Sequence, residues 1–255
     1  MFSAEFLNEL RKEELGFISG YLNKGALILE IGGGTGIQAK TLSESGFTIK
    51  SIDIPAEGYL SNREFDVIEY DGHVIPFSDN TFDIVFSSNV WEHIPHLDEF
   101  EKEVHRVLKP GGYCVHAMPT ATWRLWSNVT HYHDMLMRIG LVVPELLPKG
   151  VSLHEARRLV GRLKRILDIV RAYLIPARHG ERGNAFSEIW WFSRFFWARH
   201  FENNKFDIKE VAPMGILYTG YMALGNKFSF PWRKKLAKPL GSSCILYVVE
   251  PNVTD

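Results

Sequence analysis

The tightest constraint in this chain is ten residues long: Leu27-Ile28-Leu29-Glu30-Ile31-Gly32-Gly33-Gly34-Thr35-Gly36. An apolar run carries an acid at Glu30, and glycines follow at 32, 34 and 36. A short apolar run that stops at a glycine turn reads as a buried parallel strand, with Ile37 to Ser43 as the helix after it. Glycines in such a turn tolerate positive φ and carry no Cβ, so a ligand can lie directly on the backbone. A strand–turn–helix unit of this kind belongs in an open, mostly parallel sheet with helices on both faces.

The pattern downstream repeats the unit. Strand signals run over Thr48 to Ile52, Phe65 to Ile68, Phe82 to Ser87 and Tyr113 to Met118. A charged helix over Leu97 to Leu108 ends at Lys109-Pro110-Gly111-Gly112, a strong stop signal. Residues 3 to 22 read as a leading amphipathic helix, with Phe6, Leu10, Phe17 and Tyr21 near helical spacing. After residue 120 the strand series stops. Residues 120–200 carry thirteen Lys and Arg against six Asp and Glu in a chain whose net charge is −1. Strands resume at Phe206 to Val211 and Cys244 to Glu250.

Composition bounds the setting. The near-neutral charge gives no global pull toward nucleic acid. Cys114 and Cys244 each lie in an apolar run and read as buried free thiols, which fits a reducing cytoplasm. Met1 to Leu15 carries several charges and no long apolar region, so no signal peptide is expected there. No uncharged apolar run approaches the ~18 residues of a membrane span.

Four further segments join the glycine turn in order. Ser51-Ile52-Asp53 ends a strand with an acid that can accept both hydroxyls of a ribose. Nicotinamide dinucleotide sites share that feature, and a helix N-cap would also use Asp53. The dinucleotide fingerprint, however, needs a third glycine where Ile37 stands. Next come Tyr70-Asp71-Gly72-His73-Val74-Ile75-Pro76-Phe77 and, after the fourth strand, Ser87-Ser88-Asn89-Val90-Trp91-Glu92-His93-Ile94. Arg106-Val107-Leu108-Lys109-Pro110-Gly111-Gly112 closes the series.

Over residues 27–118 these segments resemble class I S-adenosylmethionine methyltransferases of the broad small-molecule, methyltransferase-11-like group. The resemblance fades after residue 120. It implies an α/β fold with a doubly wound, mostly parallel seven-stranded sheet, the Rossmann-like methyltransferase fold, and a helical insertion after strand five. The single domain then divides into a leading helix (1–24), a cofactor-binding half (25–119), a helical cap (120–200) and final strands (201–255). It also implies S-adenosylmethionine as cofactor, held by Glu30, Gly32, Gly33, Gly34, Gly36, Asp53, Ile54, Asp71, Gly72, Ser88 and Asn89. In that scheme Asp71 faces the adenine amino group.

Methyl transfer from a sulfonium needs alignment and a dry site more than a fixed catalytic group, but a hydroxyl acceptor is helped by a base. His93 stands where the family commonly reads E-H-I or E-H-V, and is the expected base; a purely structural histidine is the alternative. His73, His116 and His131 are weaker rivals. Related quinone-pathway enzymes place metal-binding acids in an E-x-x-E-H motif, but Asn89 stands at the first acid here, and no metal site is expected. In His131-Tyr132-His133-Asp134 the two imidazoles point apart on a helix.

Within the insertion, Leu159, Leu163, Ile166, Val170 and Leu174 share one helical face, with Arg157, Arg158, Arg162, Lys164, Arg165 and Arg171 elsewhere. Glu188 to Phe201 is rich in aromatics. These segments read as a packed cap, and as a lid that meets the acceptor or a membrane surface; peripheral membrane contact through 155–201 is one expectation. Arg178-His179-Gly180-Glu181-Arg182-Gly183 is a charged loop that either holds an acidic group of the acceptor or merely links two helices. The expected activity is methyl transfer to a small-molecule, glycan or lipid-linked acceptor, with oxygen as the favoured target. Nucleic acid is disfavoured, since no known binding module appears and Ser88-Asn89-Val90-Trp91 stands where an N-P-P-Y tetrapeptide would. A cofactor-binding scaffold without turnover is the alternative.

Overall fold

The computed structural model describes residues 4–56, 58, 62–146, 153–220 and 228–252. Seven strands form one sheet: β1 Leu27–Ile31, β2 Thr48–Asp53, β3 Val67–Glu69, β4 Phe82–Ser88, β5 Leu108–Pro119, β6 Phe206–Pro213 and β7 Cys244–Pro251. The order across the sheet is β3-β2-β1-β4-β5-β7-β6. β1 to β5 pair in parallel, whereas β7 runs antiparallel to both β5 and β6. The mostly parallel, seven-stranded α/β sheet is thus the fold observed.

Helices cover the sheet: α1 Ala4–Ile18, α2 Ile37–Glu44, α3 Leu97–Val107, α4 Ala121–Val142, α5 Leu153–Ala172, α6 Glu188–Trp191, α7 Arg194–Asn203 and α8 Phe230–Leu240. Successive β1 side chains go to opposite faces. Ile28 packs with Phe6, Leu10 and Leu42 on one side. Leu29 and Ile31 pack with Phe100 and Val104 of α3 on the other. A strand buried on both faces has no solvent side, which is why β1 reads as an apolar run broken only by the buried Glu30.

Local structure departs from expectation in four places. The leading helix ends at Ile18 and continues only as a 3-10 turn over Ser19–Tyr21. The third strand starts at Val67, because Phe65 is used as packing against Gly36. Lys109-Pro110-Gly111-Gly112 does not form a free turn. α3 stops at Val107 and β5 begins at Leu108, entering through a register irregularity opposite Phe82 and Ile84. Asp83 holds that entry: Lys109 Nζ lies 2.8 Å from its carboxylate, and a Cβ on Gly112 would come within 2.9 Å of its carbonyl oxygen. Finally, the helical segment passes residue 200 and ends at Asn203, and α8 lies between the last two strands.

The insertion is half packed and half open. Phe192, Trp197 and Phe201 are buried, while Trp190 and Phe195 are exposed. On α5 the apolar face expected to be covered stays largely open: Leu159, Leu163 and, just beyond the helix, Leu174 are exposed, as are Val160 and Leu167. Among the described residues no helix is long and apolar enough to cross a membrane.

Candidate active site

The strand order reverses between β1 and β4, so the carboxyl ends of β1, β2 and β4 open onto one crevice, the usual ligand position in such a sheet. The glycine turn leaves β1 at this point. Gly32, Gly34 and Gly36 have φ of 79°, 56° and 80°, where a side chain would be strained. The Gly32 and Gly33 N–H groups donate to the Ile52 carbonyl of β2 (2.9 and 3.1 Å), and Gly36 opens α2. Space is as limiting as conformation. A Cβ on Gly33 would lie 2.0 Å from Ser51 Oγ, one on Gly36 2.6 Å from Phe65 Cβ, and one on Gly32 2.3 Å from Val90 Cγ2.

Glu30 lies beneath this turn. It is buried, and Ser51 Oγ donates to its Oε2 at 2.6 Å. Burial pushes the carboxyl up to about 7 against the Ser51 hydrogen bond, which favours the charged form. Its observed contact therefore supports the turn from below.

Asp53 ends β2 half-buried, with Oδ2 accepting from Gly34 N–H at 2.6 Å and Oδ1 from Ile54 N–H at 2.8 Å. Ile54 is exposed, and its Cγ2 is the nearest atom to a Cβ built on Gly72. An exposed isoleucine, an open glycine backbone and the Asp71 carboxylate thus share one wall. Asp71 Oδ1 accepts from the His73 and Val74 N–H groups, and those bonds hold its carboxyl below the usual range. Across β1, Ser88 ends β4 and Asn89 turns the chain at φ 56°, its N–H donating to the Ala117 carbonyl at 2.8 Å. The residues fit S-adenosylmethionine: a backbone open to close approach, a carboxylate for two ribose hydroxyls, an apolar wall for a ring and a second carboxylate beside it.

The segment after β4 continues as a 3-10 turn, Trp91–His93. His93 keeps 40% of its side chain exposed, while the Glu92 side chain is wholly buried. The three rival histidines are engaged elsewhere. His116 is buried against Ser87 Oγ at 2.8 Å, and burial lowers it to about 3, so it stays neutral. His131 Nε2 pairs with the Tyr173 carbonyl, and His73 stacks on His96. Asp134 is taken by Arg138 and Tyr173.

The sequence reading singled out the Arg178–Gly183 loop but not what one residue in it meets. His179, in the charged loop of the insertion, reaches Glu92: its Nε2 and that of His93 each lie 3.7 Å from Glu92 Oε1. The loop is held from below by Glu188, whose Oε1 accepts from the His179 and Gly180 N–H groups at 2.6 and 2.8 Å. Arg124 Nε lies 3.2 Å from the other Glu188 oxygen. No local pattern around residue 179 signals this; only a fold that lays the loop on β4 does.

The methyltransferase-domain family profile matches residues 3–166, well over half of the chain. The chain belongs to the methyltransferase-domain family. This membership makes S-adenosylmethionine its cofactor, in agreement with the crevice described above. An uncharacterized methyltransferase of Mycobacterium tuberculosis is 31% identical over 117 residues, which are 44% of this chain and 44% of that protein. Sterol 4-C-methyltransferase of Caenorhabditis elegans is 32% identical over 101 residues, 36% of this chain and 30% of that protein. The chain thus spans less than half the length of the curated relatives it matches. A crystal structure of an S-adenosylmethionine-dependent methyltransferase from Aquifex aeolicus shares the fold, with a TM-score of 0.51 at 14% identity over 98% of each chain.

Proposed function

We propose that this methyltransferase-domain protein moves the methyl group of S-adenosylmethionine to a hydroxyl oxygen of a small-molecule, glycan or lipid-linked acceptor. The observation that carries the reading is His93, exposed in the turn that follows β4 at its carboxyl end, 3.7 Å from the buried Glu92 carboxylate. Bound in the crevice, the cofactor would supply a sulfonium methyl group and leave as neutral S-adenosylhomocysteine once the O–C bond has formed. The chain's own residues hold and deprotonate. Asp53, Ile54, Asp71, Gly72, Ser88 and Asn89 line the cofactor side, and Gly32, Gly33, Gly34 and Gly36 bring the backbone close. The exposed His93 imidazole takes the proton of the hydroxyl as the O–C bond forms.

The insertion supports an acceptor with a lipid or glycan part. Its open apolar residues Leu159, Val160, Leu163 and Leu167 sit on a helix that carries Arg157, Arg162, Lys164 and Arg165. This pattern favours peripheral contact with an anionic membrane surface. The relative from Caenorhabditis elegans is named for a sterol, which is the same broad class of apolar acceptor. The free thiols Cys114 and Cys244, both buried, support a reducing, cytoplasmic setting.

The test is calorimetric titration with S-adenosylhomocysteine, with NAD as control, followed by a panel of hydroxylated acceptors. Micromolar binding of the first compound only, with methylated product from a hydroxyl acceptor, supports the reading. Binding without turnover on any acceptor, together with capture of a tight protein partner, would favour a scaffold instead.

A further inference from the structure

The Glu92 side chain is wholly inaccessible, and neither carboxylate oxygen has a hydrogen-bond partner. A buried carboxylate left so is costly unless a cation or donor meets it. Two imidazoles approach it, one from the next residue, His93, and one from a distant loop, His179. His93 Nε2 and His179 Nε2 each stand 3.7 Å from Glu92 Oε1, beyond hydrogen-bond reach, and the three candidate ligand atoms lie within 4.8 Å of one another.

That spacing is close to what a metal ion requires. Ligand atoms about 2.0–2.1 Å from a tetrahedral ion stand roughly 3.3 Å apart, so each imidazole nitrogen has to approach the carboxylate by a few tenths of an ångström, and the two imidazoles, whose ligand atoms lie within 4.8 Å of each other, have to close by up to about 1.5 Å. The position of His179 is built by groups other than the cluster itself. Glu188 accepts from its N–H, Glu181 N–H donates to the Glu92 carbonyl at 2.9 Å, and the Trp123 ring packs on the imidazole at 4.6 Å. Gly180 is fitted to this approach, since a Cβ there would lie 2.7 Å from the Glu92 carbonyl oxygen.

We infer that Glu92, His93 and His179 bind one divalent first-row transition-metal ion through one carboxylate oxygen and two imidazole nitrogens. This donor set selects zinc, iron, cobalt or nickel over magnesium and calcium, which prefer oxygen alone. Three protein ligands leave the remaining positions open, and His93 and His179 keep 40% and 35% of their side chains exposed. An acceptor oxygen can occupy an open position, and with the ion in place His93 is its ligand rather than the base. That use of the ion rests on the functional reading above; binding of the ion does not.

The experiment uses the full chain, stripped with a chelator, desalted and titrated calorimetrically with zinc chloride. Cobalt chloride serves as a spectroscopic probe of coordination, and each sample is also titrated with S-adenosylhomocysteine. The expected result is one zinc per chain, with affinity lowered at least tenfold in both Glu92→Gln and His179→Ala while S-adenosylhomocysteine affinity changes less than threefold. Absence of saturable zinc binding in the unaltered chain, or equal affinity in both variants, overturns the site. If zinc binds but S-adenosylhomocysteine does not, the metal site stands and the functional reading falls. If only S-adenosylhomocysteine binds, the metal site falls and His93 as an unaided base stands.

Discussion

Asp53 Oδ2 accepts a 2.6 Å hydrogen bond from the Gly34 N–H, so the acid that ends β2 is tied to the glycine turn that ends β1. The carboxylate is held in place before any ligand arrives, and a bound ribose would meet a fixed acceptor rather than a mobile one. Asp53→Ala is expected to weaken S-adenosylhomocysteine binding by about 1–3 kcal/mol, the range for losing hydrogen bonds to a charged group. Asp53→Asn, which keeps an acceptor oxygen, should lose less. Calorimetry on the folded variants decides this; unchanged affinity in Asp53→Ala would remove it from the site.

Gly36 combines a φ of 80° with a missing Cβ that Phe65 Cβ would approach to 2.6 Å. Gly36→Ala therefore has to shift either the start of α2 or Phe65. A stability loss of roughly 1–3 kcal/mol is expected in urea unfolding, with at least tenfold weaker S-adenosylhomocysteine binding. A variant as stable as the parent would show that the turn is more pliable than this geometry implies.

His93→Ala should separate chemistry from binding. Loss of a general base typically lowers turnover by about 10²–10⁴-fold. Its ring makes none of the contacts that line the cofactor crevice, so S-adenosylhomocysteine affinity should hold within about threefold. Once an acceptor has been found, full activity in this variant would exclude His93 from the reaction.

Glu30 predicts a pH dependence with a definite sign. Its carboxyl is pushed up to about 7 in the folded chain, from its ordinary value of 4.5. The folded state therefore holds this proton more tightly than the unfolded one. The stabilisation is fully present below about pH 4.5 and is lost as pH rises through 7, on the order of 3 kcal/mol in all. Glu30→Gln should remove this term. The stability difference between variant and parent should thus shift in favour of the variant by that amount between pH 4.5 and pH 8. A pH-independent difference would contradict it.

The open face of α5 can be read with vesicles. Binding to phosphatidylglycerol vesicles but not to phosphatidylcholine vesicles is expected. The double variant Arg162→Gln, Arg165→Gln should weaken it by about 2 kcal/mol, near 1 kcal/mol per basic residue at a membrane surface. Equal partition to both vesicle types would remove the electrostatic part of the membrane reading.

Much of this protein is legible along the chain because the signals are local. A strand buried on both faces is apolar at nearly every position, and a turn at positive φ with a neighbour at 2–3 Å must be glycine. β1, the glycine turn, Asp53 and the alternation of strands and helices therefore stand in the sequence itself. The limits of local reading are equally concrete. Lys109-Pro110-Gly111-Gly112 has the composition of a turn, yet it is drawn into β5 because Asp83 on the neighbouring strand holds it. The α5 face has the periodicity of a packed helix, yet much of it is open, because periodicity marks an apolar side without saying what covers it. The meeting of Glu92 and His93 with His179 was decided only by tertiary structure. Contacts between residues so far apart in sequence leave no spacing to detect, and the fold alone sets whether a buried carboxylate finds one imidazole or two.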